Sequence, residues 1–407
     1  MMNVNPARFV TLLQVNIANI AHHPSPYPAS NNHPIHIGEF EHPALFPMAI
    51  DLRDRIDNRL SWYHSVMSNE KPAKYLLCKR VRLQVDPSTM TETQLVEEHA
   101  TLHERFVDLW KRVKNGDNSG VGQQANPYSL LDVKIELLKR ILRRCVLCEW
   151  KCKVNRAEGK KGACRLERET RVATFFRHFG EEPPVVGRKG SGTVFFTGCT
   201  FRCVFCQNWD ISQDPTAGTP VSPTILASII HSLREEGAAN INLVGGEPTP
   251  HLHTIVESLR IAEVNVPILW NSNMYLTSES MEILADLVDI WLPDFKWGNN
   301  NCAVKYSRAT RYFEVVSRNH EIAHTAGDMI IRHLVVPGHV KCCTKRILEW
   351  VAESCPRAIV NVMTQYRPEY LVARSPQTYP EIARRPRSDE IREAEEYARQ
   401  LDLTCLT

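Results

Sequence analysis

The residues best equipped for chemistry are three thiols, Cys199, Cys203 and Cys206, in the run Phe195-Phe196-Thr197-Gly198-Cys199-Thr200-Phe201-Arg202-Cys203-Val204-Phe205-Cys206. The spacing C-x3-C-x2-C lets one short loop deliver three thiolates to a single cluster. A closed structural zinc site wants four ligands, whereas a [4Fe–4S] cluster held by three thiolates leaves one iron open to a small molecule. Such an iron can pass an electron to a bound ligand. Four more thiols, Cys145, Cys148, Cys152 and Cys164, lie together upstream. They make a complete tetrahedral set, and zinc or an auxiliary iron–sulfur cluster both fit it. Their loop is polar, so unliganded thiols there would be left exposed.

From Thr193 onward the chain alternates regularly. Strand-like runs are expected at 193–197, 241–244, 267–271, 290–295, 329–336 and 358–363, with helices between them at 223–236, 252–262, 278–287, 304–320 and 344–354. Ser388–Leu401 reads as a last helix with Ser388 as N-cap. Six strand–helix units predict a parallel sheet with right-handed crossovers. An open doubly wound sheet and a partial barrel both fit the alternation. The chemistry-bearing residues favour the barrel, because they fall at the C-terminal ends of successive strands, where a barrel-like α/β fold places its site. After the first strand comes the cysteine loop. After the second comes Gly245-Gly246-Glu247-Pro248, whose paired glycines would let backbone approach a ligand closely. The third ends in Asn271-Ser272-Asn273, and the fourth in Asp294-Phe295-Lys296, where Asp and Lys two apart share a face. The fifth carries Arg332 and His333 on opposite faces, then His339. The sixth carries Asn361 and Met363.

The 407-residue chain is ordinary in composition, with 43% hydrophobic and 23% charged residues, and its net charge of +3 gives no case for nucleic acid. Seven of its thirteen cysteines fall in the two groups above, which points to metal ligation in a reducing compartment rather than a disulfide framework. Of Cys78, Cys302, Cys342, Cys343, Cys355 and Cys405, most read as ordinary packing, while the vicinal pair Cys342-Cys343 follows the fifth strand's exit loop, where it could line the mouth. No apolar run approaches the roughly 18 residues that span a membrane, and the N-terminus lacks a signal-peptide pattern, so a cytoplasmic protein is expected. The expected organisation is an N-terminal extension (1–127), a helix plus four-cysteine segment (128–190), the partial barrel (191–375) and a C-terminal helix and tail (376–407). Within the extension, helical spacing covers 49–59 and 91–113. His22, His23, His33, His36 and His42 read as a solvated loop, and 115–127 as a linker. Leu130–Arg144 is a clear amphipathic helix.

Over residues 140–370 these motifs, in this order and with Phe205 before the third cysteine, resemble the pyruvate formate-lyase activating-enzyme-like branch of the radical S-adenosylmethionine (SAM) superfamily. The resemblance implies a partial (β/α)6 barrel, a [4Fe–4S] cluster on Cys199, Cys203 and Cys206, and reductive cleavage of SAM to a 5′-deoxyadenosyl radical that takes hydrogen from a substrate. It implies that Gly245, Gly246, Glu247 and Pro248 bind the methionyl ammonium and that Asn271 and Asn273 meet ribose or carboxylate. Asp294 and Lys296 would line the pocket, Arg332 would face the carboxylate, and Asn361 and Met363 would lie near adenine. Flavodoxin or ferredoxin would donate electrons, and the substrate would be a protein glycine or another unactivated C–H. Activases with auxiliary ferredoxin-like clusters insert them after the SAM cluster, whereas the extra cysteines here precede it. A small molecule or peptide is the alternative substrate. A non-catalytic zinc-binding scaffold is the reading from another class. No Asp-x-His-x-x-Gly cobalamin segment is present.

Overall fold

Strands that are apolar on both faces, each followed by an amphipathic helix, bury themselves as a parallel sheet between helical layers. The computed structural model describes residues 46–117 and 127–406. Its strands are β1 (Arg82–Leu83), β2 (Tyr128–Ser129), β3 (Thr170–His178), β4 (Ser191–Phe196), β5 (Thr219–Val221), β6 (Ile241–Gly245), β7 (Ile268–Ser272), β8 (Ile290–Pro293), β9 (Asp328–Leu334), β10 (Ile359–Met363) and β11 (Thr404–Cys405). β4, β6, β7, β8, β9 and β10 are parallel neighbours. β11 continues in parallel beyond β10, while β3 and β5 extend the other edge antiparallel. The order β11-β10-β9-β8-β7-β6-β4-β3-β5 leaves the sheet open. This is an α/β fold with an open, largely parallel sheet, consistent with a partial (β/α) barrel.

Two local expectations are corrected and one strand is added. The helix expected over 304–320 is two, Asn300–Ser307 and Tyr312–Ala326. Between them Arg308 and Arg311 take left-handed φ values of 56° and 49°. The cause is tertiary: the carbonyls of Tyr306 and Ser307 accept from Val204 N (2.8 Å) and Arg202 N (3.1 Å) of the cysteine loop. The last helix is capped at Arg387 rather than Ser388, because the Glu390 carboxylate accepts from Arg387 N and Gly338 N. β3 is unforeseen; its weak alternation finds a place only by pairing with β4.

Upstream, Glu92–Lys114 starts at a capping box formed by Thr91 and Gln94, and Leu130–Arg143 packs against it and against Leu252–Ile261. Residues 62–74 close the end of the sheet opposite the cysteine loop. Trp62 Nε1 (2.9 Å) and Lys74 N (3.0 Å) donate to Asp289 just before β8, and Tyr63 N donates to Asp328 at the start of β9 (2.9 Å). The five N-terminal histidines and residues 118–126 of the linker lie outside the described residues. Among the described residues no helix is long and apolar enough to cross a membrane.

Buried titratable groups give the fold a pH dependence. Burial holds His99, His251 and His253 down to about 3 and His320 and His333 to about 4. Each therefore takes up a proton only on unfolding once pH falls below 6.5, its ordinary value. Burial raises Asp289 and Asp328 to about 6 and Glu181 to about 7, so these three bind protons first in the folded chain and oppose the loss. The histidines outnumber these acids, and stability is expected to fall as pH drops from about 6 to 4.5. Urea unfolding across that range measures it; a flat profile would contradict it.

Candidate active site

The cysteine loop leaves β4 through Gly198, whose φ of 74° and contact with Leu166 exclude a side chain. Gly198 N is held by Ile211 O (2.8 Å). Cys199 and Cys203 are each 7% exposed, and Cys206 is partly buried. Each sulfur has a polar neighbour: Asn273 Nδ2 lies 3.6 Å from Cys199 Sγ, Ser307 Oγ 3.1 Å from Cys203 Sγ, and Ser212 Oγ 3.2 Å from Cys206 Sγ. Burial pushes all three thiols up, Cys203 to about 11. A cation that ligates them must displace those protons and replace the lost solvation. Sulfurs sharing one zinc ion sit about 3.8 Å apart, given Zn–S bonds of about 2.3 Å. Among the described residues, the one group of three ligand-type side chains with donor atoms all within 4.8 Å is elsewhere, at Cys302, His339 and Cys342. The three loop sulfurs therefore do not all lie within 4.8 Å of one another.

Beside the thiols lies a cavity of about 380 Å³. Gly245, Gly246, Glu247, Asn271, Asn273, Asp294, Lys296 and Arg332 all reach it, together with the three cysteines. Met363 lines it as well. Pro248 and Asn361 do not, and Asn361 instead donates to Glu182 Oε1 (3.0 Å). His333 turns away, bonded to Phe295 O and Thr344 Oγ1, and His339 packs outside the cavity against Trp297 and Tyr306.

The paired glycines, which line the cavity, also serve a close packing contact. A Cβ on Gly245 would lie 2.2 Å from Phe196 N, and one on Gly246 would lie 2.0 Å from Gly198 O. Their bareness lets the end of β6 press against β4 and the cysteine loop. Gly246 N donates to Phe196 O across that contact (2.7 Å). The Glu247 side chain is likewise engaged: it accepts from Thr249 N and Oγ1, from Ser272 Oγ (2.7 Å) and from Asn273 N (2.9 Å). Burial raises its pKa and these four donors oppose the rise. Glu247 thus ties the β6 exit to the β7 exit, and Asn273 in turn reaches Thr200 Oγ1 (2.9 Å) on the cysteine loop.

A charge network crosses the cavity. Lys296 Nζ pairs with Asp294 Oδ2, and Arg332 pairs with Asp294 Oδ1 (2.9 Å) and bonds Asn271 Oδ1. Arg332 also lies 3.6 Å from Glu181 and 3.9 Å from Glu182, two acids after β3 that the sequence reading passed over. Burial alone would raise the Asp294 carboxyl; Arg332 and Lys296 overcome it and hold it low.

The second cysteine group lies behind the loop. Cys145 N and O pair with Val154 O and Lys153 N (both 3.0 Å), and Trp150 Nε1 donates to Thr200 O (2.7 Å). The Cys145 thiol bonds Cys152 and draws it down to about 5, while burial lifts Cys148 to about 12. Arg156, almost fully buried, crosses from Glu167 O to Pro250 O and reaches within 4.0 Å of Cys145 Sγ.

Residues 193–351 match the family model of the Radical SAM superfamily. An uncharacterized protein of Methanocaldococcus jannaschii (MJ0674) is 40% identical over 354 residues, covering 86% of this chain and 99% of that one. The 7-carboxy-7-deazaguanine synthase of Methanothermobacter thermautotrophicus is 23% identical over 192 residues, 45% of this chain and 77% of its own. Among solved structures, Streptococcus suis SuiB bound to precursor peptide SuiA aligns with 51% of this chain and 46% of its own, so that less than half its length is spanned. At 13% identity and a TM-score of 0.37 it is too distant to bear on function.

Proposed function

The chain belongs to the radical SAM superfamily, and on that premise we propose that this enzyme binds SAM beside a [4Fe–4S] cluster on Cys199, Cys203 and Cys206 and acts on a small molecule or a peptide. The observation that carries the proposal is the convergence of the three loop thiols and five strand ends, those of β6 to β10, on one cavity. Cys199, Cys203 and Cys206 would hold the cluster, which would supply one electron to SAM for cleavage of its C5′–S bond to methionine and a 5′-deoxyadenosyl radical able to take a hydrogen atom from substrate. The protein's part is to hold the thiols dry, to fix the β6 and β7 exits through Glu247, and to offer Lys296 and the Arg332 network to a charged ligand. An external one-electron donor such as flavodoxin or ferredoxin completes the balance.

A cavity of about 380 Å³ sits in the range of small-ligand sites, about 300–1,000 Å³. Its outer residues Gly180, Gln207, Gln365 and Arg367 are exposed and polar or small, so substrate enters from that side. The deazaguanine synthase, named for a small heterocyclic product, favours the same substrate class. Activation of a glycyl radical enzyme is the finer reading that the sequence resemblance supplies. We assign Cys145, Cys148, Cys152 and Cys164 to a second iron–sulfur cluster or zinc, and place the protein in a reducing compartment.

Anaerobic reconstitution with iron and sulfide tests the proposal. The expected result is a brown protein that releases 5′-deoxyadenosine from SAM under dithionite. A colourless protein holding zinc on Cys199, Cys203 and Cys206, with no 5′-deoxyadenosine, would falsify it. A glycyl radical signal in a partner protein would decide for the activase reading instead.

A further inference from the structure

Three of the side chains that the sequence left as packing or loop residues come together on the far side of Trp297 from the cavity. Cys302 stands in the first turn of the helix Asn300–Ser307, after β8. His339 and Cys342 stand on the exit from β9, where the chain turns through the π-helical segment Val340–Thr344. Their donor atoms all lie within 4.8 Å of one another. Cys343 Sγ is 3.8 Å from Cys342 Sγ, which is the sulfur–sulfur edge of a tetrahedron with metal–sulfur bonds of about 2.3 Å. We propose that Cys302, His339, Cys342 and Cys343 form a tetrahedral site for a thiophilic divalent cation of the zinc type, separate from the cysteine loop and from the upstream cysteine group.

The surroundings are built for a ligand rather than for packing. His339 Nδ1 donates to Pro337 O (2.8 Å), which fixes the tautomer and leaves the Nε2 lone pair for a metal, the usual arrangement behind a ligating imidazole. Trp297 and Tyr306 hold the ring edge-on, with centroids 5.7 and 5.1 Å away. Asn299 caps the helix through Oδ1 and turns Nδ2 toward Cys343 Sγ (3.5 Å) and Cys342 O (3.0 Å). The two loops can meet because Gly298 lacks a side chain; a Cβ there would lie 2.7 Å from Cys343 Cα. Cys342 is exposed, an unfavourable place for an unligated thiol next to a second one.

The site also has a consequence for the cavity. The helix that carries Cys302 in its first turn ends with Tyr306 and Ser307, whose carbonyls hold the backbone of Val204 and Arg202, and Ser307 Oγ accepts from Trp297 Nε1 (2.8 Å) and Cys203 Sγ. A cation at its start pins the support of the cysteine loop from behind. Its role is structural, since all four ligands come from protein.

The test needs no turnover. Full-length protein purified anaerobically with Zn²⁺ is analysed for zinc per chain, alongside the Cys302→Ser/Cys342→Ser variant. The variant is expected to hold about one zinc fewer per chain. On the unaltered chain, Cys342 alkylation by iodoacetamide, read on its own peptide by mass spectrometry, is expected to slow about tenfold with Zn²⁺ and recover with chelator. The peptide-level readout stands even if the variant folds poorly. Equal zinc in both proteins, Cys342 alkylation indifferent to Zn²⁺, or a Cys302–Cys342 disulfide in place of bound metal would each overturn the proposal.

Discussion

Cys203→Ser is expected to lower the iron of reconstituted protein by about four atoms per chain and to cut 5′-deoxyadenosine formation at least about a thousandfold. The substitution is nearly isosteric, and a hydroxyl can keep the contact with Ser307 Oγ that the thiol makes at 3.1 Å, so the loop has no reason to refold. What changes is the ligand. Burial holds the Cys203 thiol near 11 although Lys296 pulls the other way, so at neutral pH the site is protonated until metal displaces the proton. Three such thiols on one dry loop are costly to deprotonate unless a multi-iron cluster shares their charge. A serine hydroxyl, far less acidic and a harder donor, does not satisfy that demand. The contrast is Cys78→Ala. Cys78 is fully buried in the apolar core, away from the cavity, and its loss should leave iron content and 5′-deoxyadenosine formation unchanged. Iron lost equally from both variants would mean that Cys203 holds no cluster.

What could be read from the chain, and what could not, divides by the range of the interactions. The parallel strands were legible because burial on both faces forces continuous apolar runs such as Ile290-Trp291-Leu292, and each run ends where its polar residues begin. Asn271, Asp294, Lys296 and Arg332 could therefore be placed at strand ends, and they do meet at one cavity. Their partners were not legible. Glu181 and Glu182 precede a Pro-Pro pair and look like a surface turn until β3 folds back against β4. The break at Arg308–Arg311 carries no glycine or proline, since the cysteine loop, not local propensity, ends that helix. Nothing in the sequence around Gly245 and Gly246 shows that their Cβ positions are also blocked by the neighbouring strand and the cysteine loop. Cys302 and His339 come from different strand exits, and no spacing rule joins residues that only a β8–β9 pairing brings side by side.

Asp294→Asn is expected to destabilise the protein by about 3 kcal/mol, because it leaves buried cations without their main counter-charge. Asp294 is the carboxylate that Lys296 and Arg332 share. Arg332 keeps Glu181 and Glu182 at 3.6 and 3.9 Å, whereas Asp294 is the one carboxylate with which Lys296 forms a salt bridge among the described residues. The side chains of Lys296 and Asp294 are 22% and 16% exposed, but that surface faces an enclosing cavity rather than bulk water, so screening is weak. The carboxyl is held below its ordinary value, so its contribution is full above about pH 4 and is lost as pH falls through the depressed value. Asparagine removes it at every pH. The difference between the two proteins should therefore be greatest near neutrality and shrink under acid. The double variant Asp294→Asn/Lys296→Met separates charge from shape: with the stranded ammonium removed, most of the lost stability should return. Urea unfolding of the three proteins at neutral pH measures this. If the double variant is as unstable as the single one, the cost lies in packing around Asn271 and Arg332, and the ion pair is not what holds the β8 and β9 exits in place.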